Sequence, residues 1–317
     1  MGDQPLNRRT RLIQNRRRLR PVWRRLSPAV ILLAVVVESH AADIFWNSSF
    51  GGAFNAAANW QGGAVPGASD VAHFGLTTNP LLLQRIYTVD FDVNPINQAL
   101  KIEDDFVTFD LNGRTYATTL TTGNEIGTVP GRSGRLTITD GRIKPALDSE
   151  LFIGSAAGAS GSLTVTTGGE IGGGSLEVSS VLLVVGHFGP GAMTVDNGGR
   201  IEVGSNIIGN ATGVTGTATI TGTGSRWINS EQLIVGNFGQ GTLNITAGGL
   251  VDNNIGFVGN NSGSTGTVTV SGTNSQLNHF GSLVVGNSGE GVLNITAAAR
   301  SKTPTHGSAV KPAAPAL

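Results

Sequence analysis

A motif that recurs at a fixed spacing is the strongest constraint on how this chain can fold. Val235–Thr246 reads VGNFGQGTLNIT, and similar stretches lie 50 residues later, at Val285–Thr296 (VGNSGEGVLNIT), and 50 residues earlier, at Val185–Asp196 (VGHFGPGAMTVD). Recurrence at a long, constant period is typical of repeat proteins, whose units stack on their neighbours. The spacing therefore predicts a repeat architecture.

Each 50-residue repeat contains two half-units that differ in the length of one turn. The longer form is IGNATGVTGTATIT at Ile208–Thr221 and VGNNSGSTGTVTVS at Val258–Ser271, and further copies begin at Ile153 and Ile126. One step between half-units is longer than the others, which predicts an insertion near residues 172–180. The half-units begin at residues 126, 153, 185, 208, 235, 258 and 285.

The half-unit has the pattern of one coil of a β-solenoid. In Thr242–Thr246, Leu243 and Ile245 alternate with polar residues, as in a strand with one buried face. Gly248-Gly249 supplies the backbone freedom that a corner needs. We therefore predict an all-β fold, a parallel β-helix, with the right-handed connection usual for parallel strands. An antiparallel sandwich of short strands is the rival fold, but it does not require loops that match at this spacing.

Composition supports an all-β chain and excludes several kinds of site. The 317 residues include 47 glycines, no cysteine and only 13% charged residues. The absence of cysteine excludes disulfides and thiolate metal sites. Without residues 1–41 the chain has 12 basic and 19 acidic residues, a formal charge of −7. A mildly acidic chain without a basic patch is a poor nucleic-acid binder.

Residues 1–41 have the order of a secretory signal. Nine arginines in the first 25 positions precede the apolar run Ala29–Val37, and Ser39-His40-Ala41 places small residues at the two positions that a signal peptidase recognises. We expect cleavage after Ala41 and no transmembrane helix in the mature chain. The apolar run is too short for a membrane span, which needs about 20 residues.

Residues 42–125 are predicted to form an N-terminal cap and early, irregular coils. The first part concentrates the scarce aromatic residues, which would cover the end of a solenoid core. Trp46 and Trp60 could instead form a sugar-stacking platform, but aromatic residues in a cap more often belong to the core. Beyond the cap, Tyr87–Val93 alternates apolar and polar residues, and Asn112-Gly113 predicts a turn.

The early coils are also the most acidic part of the chain. If adjacent coils stack Asp92 near Asp110, with Asp90 beside them, the carboxylates could bind Ca²⁺ through oxygen ligands. The simpler interpretation is a solvated strand face and an acidic turn that includes Glu103, Asp104 and Asp105. The same three aspartates in a concave groove would be the mark of a glycan-active β-helix enzyme.

No other pattern predicts catalysis or cofactor binding. His73, His187, His279 and His306 lie far apart in the sequence and lack metal-ligand spacing. His187 aligns with Asn237 in the repeat and is interpreted as a turn variant. The scattered acids of the repeat do not recur in phase; they are Glu177, Asp196, Glu202, Glu231, Asp252 and Glu290. We therefore predict no catalytic, metal or cofactor residues and no enzyme activity.

The alternating half-units resemble the repeat shared by type V secretion (autotransporter) passengers and PEP-CTERM-sorted bacterial proteins. The likeness covers residues 126–296, and Trp227 in GTGSRW matches the usual G-S-x-W of that repeat, whereas Leu277 replaces the tryptophan in the next copy. The resemblance implies an exported, surface-displayed or released β-solenoid, with no catalytic residues. This chain lacks the translocator barrel or sorting segment of the family, and residues 297–317 are predicted to be disordered. We expect a truncated or frameshifted passenger.

The expected function is structural or adhesive, at the cell surface, at the outer membrane or outside the cell. Environmental or host glycans and proteins are the expected partners. Two alternatives stay open at this point: a glycan-active lyase or hydrolase, and a remnant with no function of its own.

Overall fold

The computed structural model describes residues 41–75, 84–172, 180–296 and 299–302, all within the unit Ser39–Leu317. Their strands wind into a parallel β-solenoid of about 9 turns, which confirms the predicted all-β parallel fold over the antiparallel sandwich. The hand of the helix stays a prediction. The strands are, in chain order, β1 (Asp43–Phe45), β2 (Gly52–Ala53), β3 (Val71–Phe74), β4 (Ile86–Asp90), β5 (Ile96–Asn97), β6 (Ala99–Ile102), β7 (Phe106–Thr118), β8 (Asn124–Ile126), β9 (Ser133–Lys144), β10 (Glu150–Ile153), β11 (Ser160–Val165), β12 (Gly169–Ile171), β13 (Leu182–Val185), β14 (Gly191–Val195), β15 (Arg200–Val203), β16 (Ser205–Ile208), β17 (Thr215–Thr221), β18 (Arg226–Val235), β19 (Gln240–Thr246), β20 (Leu250–Val258), β21 (Thr265–Ser271), β22 (Gln276–His279), β23 (Leu283–Val285), β24 (Glu290–Thr296) and β25 (Arg300–Lys302).

The pairings divide each coil among three faces. Face A is built from β1, β3, β6, β8, β10, β13, β16, the ends of β18 and β20, and β23. Face B is built from β2, β4, the starts of β7 and β9, β11, β14, β17, β19, β21 and β24. Face C is built from β5, the ends of β7 and β9, β12, β15, the starts of β18 and β20, β22 and β25.

Each predicted half-unit is one coil, but the coil has a strand that the repeat motif does not contain. The motif begins at the end of face A, turns, and runs along face B. The chain then turns at Gly248-Gly249 and forms a third strand on face C, as in Leu250–Asn253 of β20. The same strand continues around the next corner to face A, where Gly256–Val258 pairs with β23.

Apolar side chains fill the interior in the phase that the sequence predicts. Leu243 and Ile245 of β19 are completely buried, and they align with Val268 and Val270 of β21 in the next coil. Equivalent side chains thus stack at about 4.8 Å, the spacing between paired strands. Burial of this column as far as β21 supplies the main driving force for folding, whereas in β24, the last strand of the face, Ile295 is 44% exposed.

Two glycines per coil allow the backbone to pass closely at the corner between faces A and B. Gly236 has a φ of +77°, which favours glycine, and Gly241 packs so tightly that a Cβ atom would lie 2.1 Å from the Gly236 nitrogen. The glycines at positions 236 and 241 of the motif are therefore steric requirements of the coil. At the next corner, Ala247 and Gly248 also have positive φ, and the Gly249 amide donates to the Thr246 carbonyl.

The N-terminal aromatic stretch forms the first coil, and its rings fill the interior. Trp46 and Trp60 are buried and meet edge to face with centroids 5.0 Å apart. Phe45 and Phe50 lie outside this interior: the half-buried Phe45 ring lies 4.4 Å from the His73 ring, and Phe50 is 96% exposed. The predicted turn at Asn112-Gly113 is a corner within the long strand β7, where both residues have positive φ. The remaining rings of the cluster are Phe54, Phe74, Tyr87, Phe91, Phe109 and Tyr116.

The structure can be compared with the predicted position of the insertion and with the predicted end of the solenoid. Ile171 pairs with Ile201 and Leu182 with Ser205, so the insertion lies between Ile171 and Leu182, as expected. At the other end, β25 pairs with β22, so face C extends beyond the predicted boundary at residue 296. The rest of the predicted disordered tail and residues 1–40 of the predicted signal lie outside the described residues.

Among the described residues, no helix has the length and apolar character that a membrane span requires.

Candidate contact surface

A row of threonine side chains runs across the outside of face B. It begins at Thr88 in β4 and continues without interruption to Thr219 in β17, one residue per coil, after which asparagine and threonine alternate. In-register stacking of parallel strands brings these side chains to about 4.8 Å from one another. The row is, in order, Thr88, Thr108, Thr137, Thr164, Thr194, Thr219, Asn244, Thr269 and Asn294.

The hydroxyl groups of this row are available to an external partner. None of its threonine hydroxyls forms a hydrogen bond to another described residue, whereas the Thr246 hydroxyl, on the neighbouring row, donates to that of Thr221. Charge is also scarce: on the outward positions of β17, β19, β21 and β24, Glu290 is the single charged residue. In these late coils, face B therefore presents a regular surface of hydroxyl, methyl and amide groups, whereas Asp90, Asp110 and Arg135 lie at outward positions of its earlier strands.

Face C has a different surface chemistry. Arg142 donates to Glu170 at 2.8 Å across neighbouring coils, and Arg200 lies 3.6 Å from the same carboxylate. Arg200 also pairs with Glu202 on its own strand. These side chains satisfy one another, and partly exposed ion pairs of this kind contribute little to stability. Face C is thus a solvated, self-paired surface, whereas face B is not.

A groove of about 390 Å³ crosses face B at the start of its strands. Ser162 and Ala192 have short side chains at the outward positions of this lining, where Arg135 stands one coil earlier. Its lining comprises Phe106, Ser133, Gly134, Arg135, Ser160, Gly161, Ser162, Pro190, Gly191, Ala192 and Thr215. The motif predicts the glycines, but the sequence analysis did not identify the groove.

Arg135 is the charged residue of the groove lining. Its guanidinium lies 4.6 Å from the centroid of the Phe106 ring, a cation–π contact that orients the side chain. The residue is exposed, and its guanidinium has no hydrogen-bond or carboxylate partner among the described residues. Position 135 is occupied by serine, alanine or threonine in the next coils, so the repeat pattern does not signal it.

The tryptophans do not form the sugar-stacking platform that was the alternative to a core position. Trp46 is 0% and Trp60 is 2% exposed. The Trp60 indole donates to the Phe54 carbonyl at 2.7 Å inside the core. Neither ring face is open to a ligand.

The structure brings together two of the three candidate aspartates, but not the expected pair. Asp90 stacks on Asp110 in register, whereas Asp92 lies beyond the strand and accepts a hydrogen bond from Asn55. The register partner of Asp110 is therefore Asp90 rather than Asp92, which was the condition for a Ca²⁺ site. None of the three lines the groove, and no cluster of three or more metal-ligating side chains occurs among the described residues.

The acidic turn of the early coils is buried rather than solvated. Glu103, Asp104 and Asp105 are each at most 5% exposed, and each carboxylate pairs with a basic side chain. Arg85 donates to Asp105 at 2.6 Å, and Arg132 pairs with Asp104. We call these pairs, with the His73 contacts described next, the ionic corner.

His73 links two coils within the ionic corner. Its two ring nitrogens lie 2.9 Å from Asp43 and 3.0 Å from Glu103. Tyr87 donates to Asp105, and burial together with that carboxylate raises the pKa of the Tyr87 phenol. Each ionisable side chain of the ionic corner contacts a partner within the fold, so the arrangement is structural.

A second group of buried polar side chains lies inside the later coils. Asn229, Asn253 and His279 stack in register at the end of face C, and Asn206 donates to Asn229. His279 is 4% exposed, and burial lowers the pKa of its imidazole to about 4. Both nitrogens of His279 lack a hydrogen-bond partner among the described residues.

The other sequence candidates are scattered. His187 lies at the corner between faces A and B, as expected for a turn variant, and stacks on Phe152 with centroids 4.0 Å apart. Partial burial lowers the pKa of the His187 imidazole. His306 and Glu177 lie outside the described residues.

Comparison with known proteins does not add a relative. The chain matches no protein-family model, no curated protein and no solved structure. The likeness to passenger repeats therefore depends on the motif residues and on the solenoid itself.

Proposed function

We propose that this protein is an exported β-solenoid with a structural or adhesive role, which contacts glycans or proteins at a surface through face B. The observation that carries the proposal is the threonine and asparagine row from Thr88 to Asn294, with hydroxyls that have no partner within the described fold. A rigid, repetitive and nearly uncharged surface suits weak contacts that are summed over many coils.

The contrast with face C supports the choice of face B. Arg142, Glu170, Arg200 and Glu202 of face C pair with one another. Face B offers hydrogen-bond donors and acceptors at a constant spacing, which complements a polymer that also has repeating hydroxyl groups. The basic, apolar and small-residue order of residues 1–41 supports export.

The contact role is tested with the full chain on a glycan array and on immobilised cell-surface material. We expect binding without turnover, and we expect Thr194→Lys combined with Thr219→Lys to reduce it, because two bulky charges interrupt the row. Gln232→Lys is the matched control, since Gln232 is exposed near the corner between faces C and A. Equal binding by the wild type and the face B variant contradicts the proposal.

Export is tested separately with a reporter fused after residue 60. We expect the reporter to leave the cytoplasm and the remaining chain to begin at Ala42. A reporter that stays cytoplasmic and uncleaved contradicts the proposed localisation.

A further inference from the structure

The groove on face B differs from the rest of that face in shape and in charge. The Thr row is nearly flat and uncharged, whereas the groove is a depression that crosses β9, β11, β14 and β17. Three steps between these strands correspond to about 14 Å. A short oligosaccharide fits this length, and the open ends allow a longer chain to continue over neighbouring coils.

Four residues with hydroxyl groups are part of the groove lining. Ser133 and Ser160 are hydrogen-bonded to each other at one margin, and Ser162 and Thr215 contribute further hydroxyls. Ala192 and Pro190 add small apolar surfaces among them. This combination of hydroxyls and short apolar patches complements a sugar ring, which has hydroxyls at its edge and C–H groups on its faces.

Arg135 adds one positive charge to this lining. The lining contains no carboxylate, and the nearby Asp105 is already paired with Arg85 and Tyr87. An exposed guanidinium without a partner is a ready ligand for a planar carboxylate, which it binds through two parallel N–H donors. A run of nucleic-acid phosphates would need several such cations, so a single arginine does not suit it.

We propose that this groove binds an acidic glycan, with the carboxylate of a uronic acid unit on the Arg135 guanidinium. Neighbouring sugar units lie along the groove and hydrogen-bond to Ser133, Ser160 and Ser162. The Phe106 ring holds the guanidinium in place through the cation–π contact. This inference rests on the proposed contact function and gives it a ligand class.

The full chain is titrated by calorimetry with trigalacturonate, a mannuronate trimer and the neutral methyl ester of trigalacturonate. We expect at least one acidic trimer to bind and the ester to bind more weakly. Arg135→Gln should weaken acidic binding about 10- to 100-fold, the range of a lost hydrogen bond to a charged group. Arg135→Lys should retain part of it, and added salt should weaken it.

The control variant is Arg226→Gln, which removes an exposed arginine from face C and should bind as the wild type does. Circular dichroism confirms that each variant is folded. The inference is overturned if neither acidic trimer binds, if the ester binds as well as the acid, or if Arg135→Gln binds as the wild type does. Equal binding of triglutamate overturns the assignment to a saccharide.

Failure of this inference is distinguishable from failure of the contact function. If neutral glycans bind and the Thr194→Lys, Thr219→Lys variant loses that binding, the contact function holds even where Arg135→Gln has no effect. If the full chain binds no glycan or surface material, the contact function fails as well.

Discussion

The corner between faces A and B is built from charged side chains in an early coil and from glycine backbone in the repeat coils. Around β6 and β7, Glu103, Asp104 and Asp105 occupy the corner and pair with basic residues from neighbouring coils. Between β18 and β19, Gly236 and Gly241 occupy it, and the chain passes with almost no space between backbones. The corner between faces A and B is thus stabilised by ion pairs in the early coil and by close backbone packing at glycines in the repeat coils.

The interior of the early coils also differs from the interior of the repeat coils. Aromatic rings from Trp46 to Tyr116 interlock in the early coils, whereas Leu, Ile and Val columns fill the repeat coils. Interlocking rings are specific to their positions, but an aliphatic column can be extended one coil at a time. The comparison shows that the early coils depend on particular side-chain partners and the repeat coils on a backbone geometry that every copy shares.

The largest effect is expected at a repeat corner. In Gly241→Ala the new Cβ would lie 2.1 Å from the Gly236 nitrogen and 2.5 Å from the Ile208 carbonyl oxygen, so the backbone must move. We expect a loss of about 4 kcal/mol or more in the free energy of unfolding, measured with urea. Gly213→Ala is the control, because its Cβ meets nothing within 4 Å and adds only the strain of a φ of +77°, about 1 kcal/mol. Similar losses in both variants would contradict the steric role of Gly241.

The next largest effect is expected in the ionic corner. Asp105→Asn leaves Arg85 without its buried partner, which should cost about 3 to 5 kcal/mol in the free energy of unfolding. Lys101→Met breaks the partly exposed pair with Glu125 and should cost about 1 kcal/mol at most. Urea denaturation of both variants measures the difference. A small loss in Asp105→Asn would mean that the early corner does not depend on its ion pairs.

Replacing a tryptophan should destabilise the aromatic interior of the early coils more than the aliphatic interior of the repeat coils. Trp46→Leu removes a ring that contacts Trp60, Phe74 and Tyr87, and we expect a loss of about 3 kcal/mol. Trp227→Leu should cost less, about 1 to 2 kcal/mol, because Leu277 occupies the equivalent place two coils later. Thermal and urea unfolding of the two variants compare them. Equal losses would indicate that the aromatic and aliphatic interiors tolerate substitution alike.

A further effect, which vanishes above pH 6.5, is a pH dependence of stability in the repeat coils. Because burial lowers the pKa of His279 from 6.5 to about 4, the unfolded chain binds a proton in this range that the folded chain does not. The contribution of neutral His279 to the free energy of unfolding is therefore complete above pH 6.5. As the pH drops toward 4, the free energy of unfolding falls by at most about 3 kcal/mol.

His279→Asn tests this dependence, since asparagine occupies the equivalent positions 229 and 253. Urea midpoints at pH 7 and pH 4 should differ less in the variant than in the wild type. His187, whose pKa is also lowered, is unchanged in both proteins and cancels. An equal pH dependence in the two proteins would contradict the role of His279.

The repeat made most of the fold predictable. Its period gives the coil, the alternation of Leu243 and Ile245 gives the inward side chains, and Gly248-Gly249 gives a corner. The motif does not predict face C, because the strand of face C follows the glycine pair and lies outside the motif. Its own alternation at Leu250–Asp252 is the signal that could have indicated it.

The polar side-chain contacts were less predictable than the fold, because they depend on which residues meet across coils. Asp105 pairs with Arg85 and Asp104 with Arg132, and in both pairs the partners are separated by about one coil of sequence. The pairing of Asp90 with Asp110 required the register of β4 and β7. The groove depends on small side chains at Ser162 and Ala192, which are ordinary residues in any single strand.

The most direct test of the central claim is cysteine cross-linking between coils, which is unambiguous because the chain contains no cysteine. Thr219 and Asn244 are register partners on adjacent strands of face B, so Thr219→Cys with Asn244→Cys places two Cα atoms about 4.8 Å apart, within disulfide range. Thr219→Cys with Thr269→Cys spans two coils, about 9.6 Å, which is too far. We expect rapid disulfide formation in the first pair and none in the second within the folded full chain. Cross-linking of the second pair, or of neither pair, would contradict the in-register solenoid.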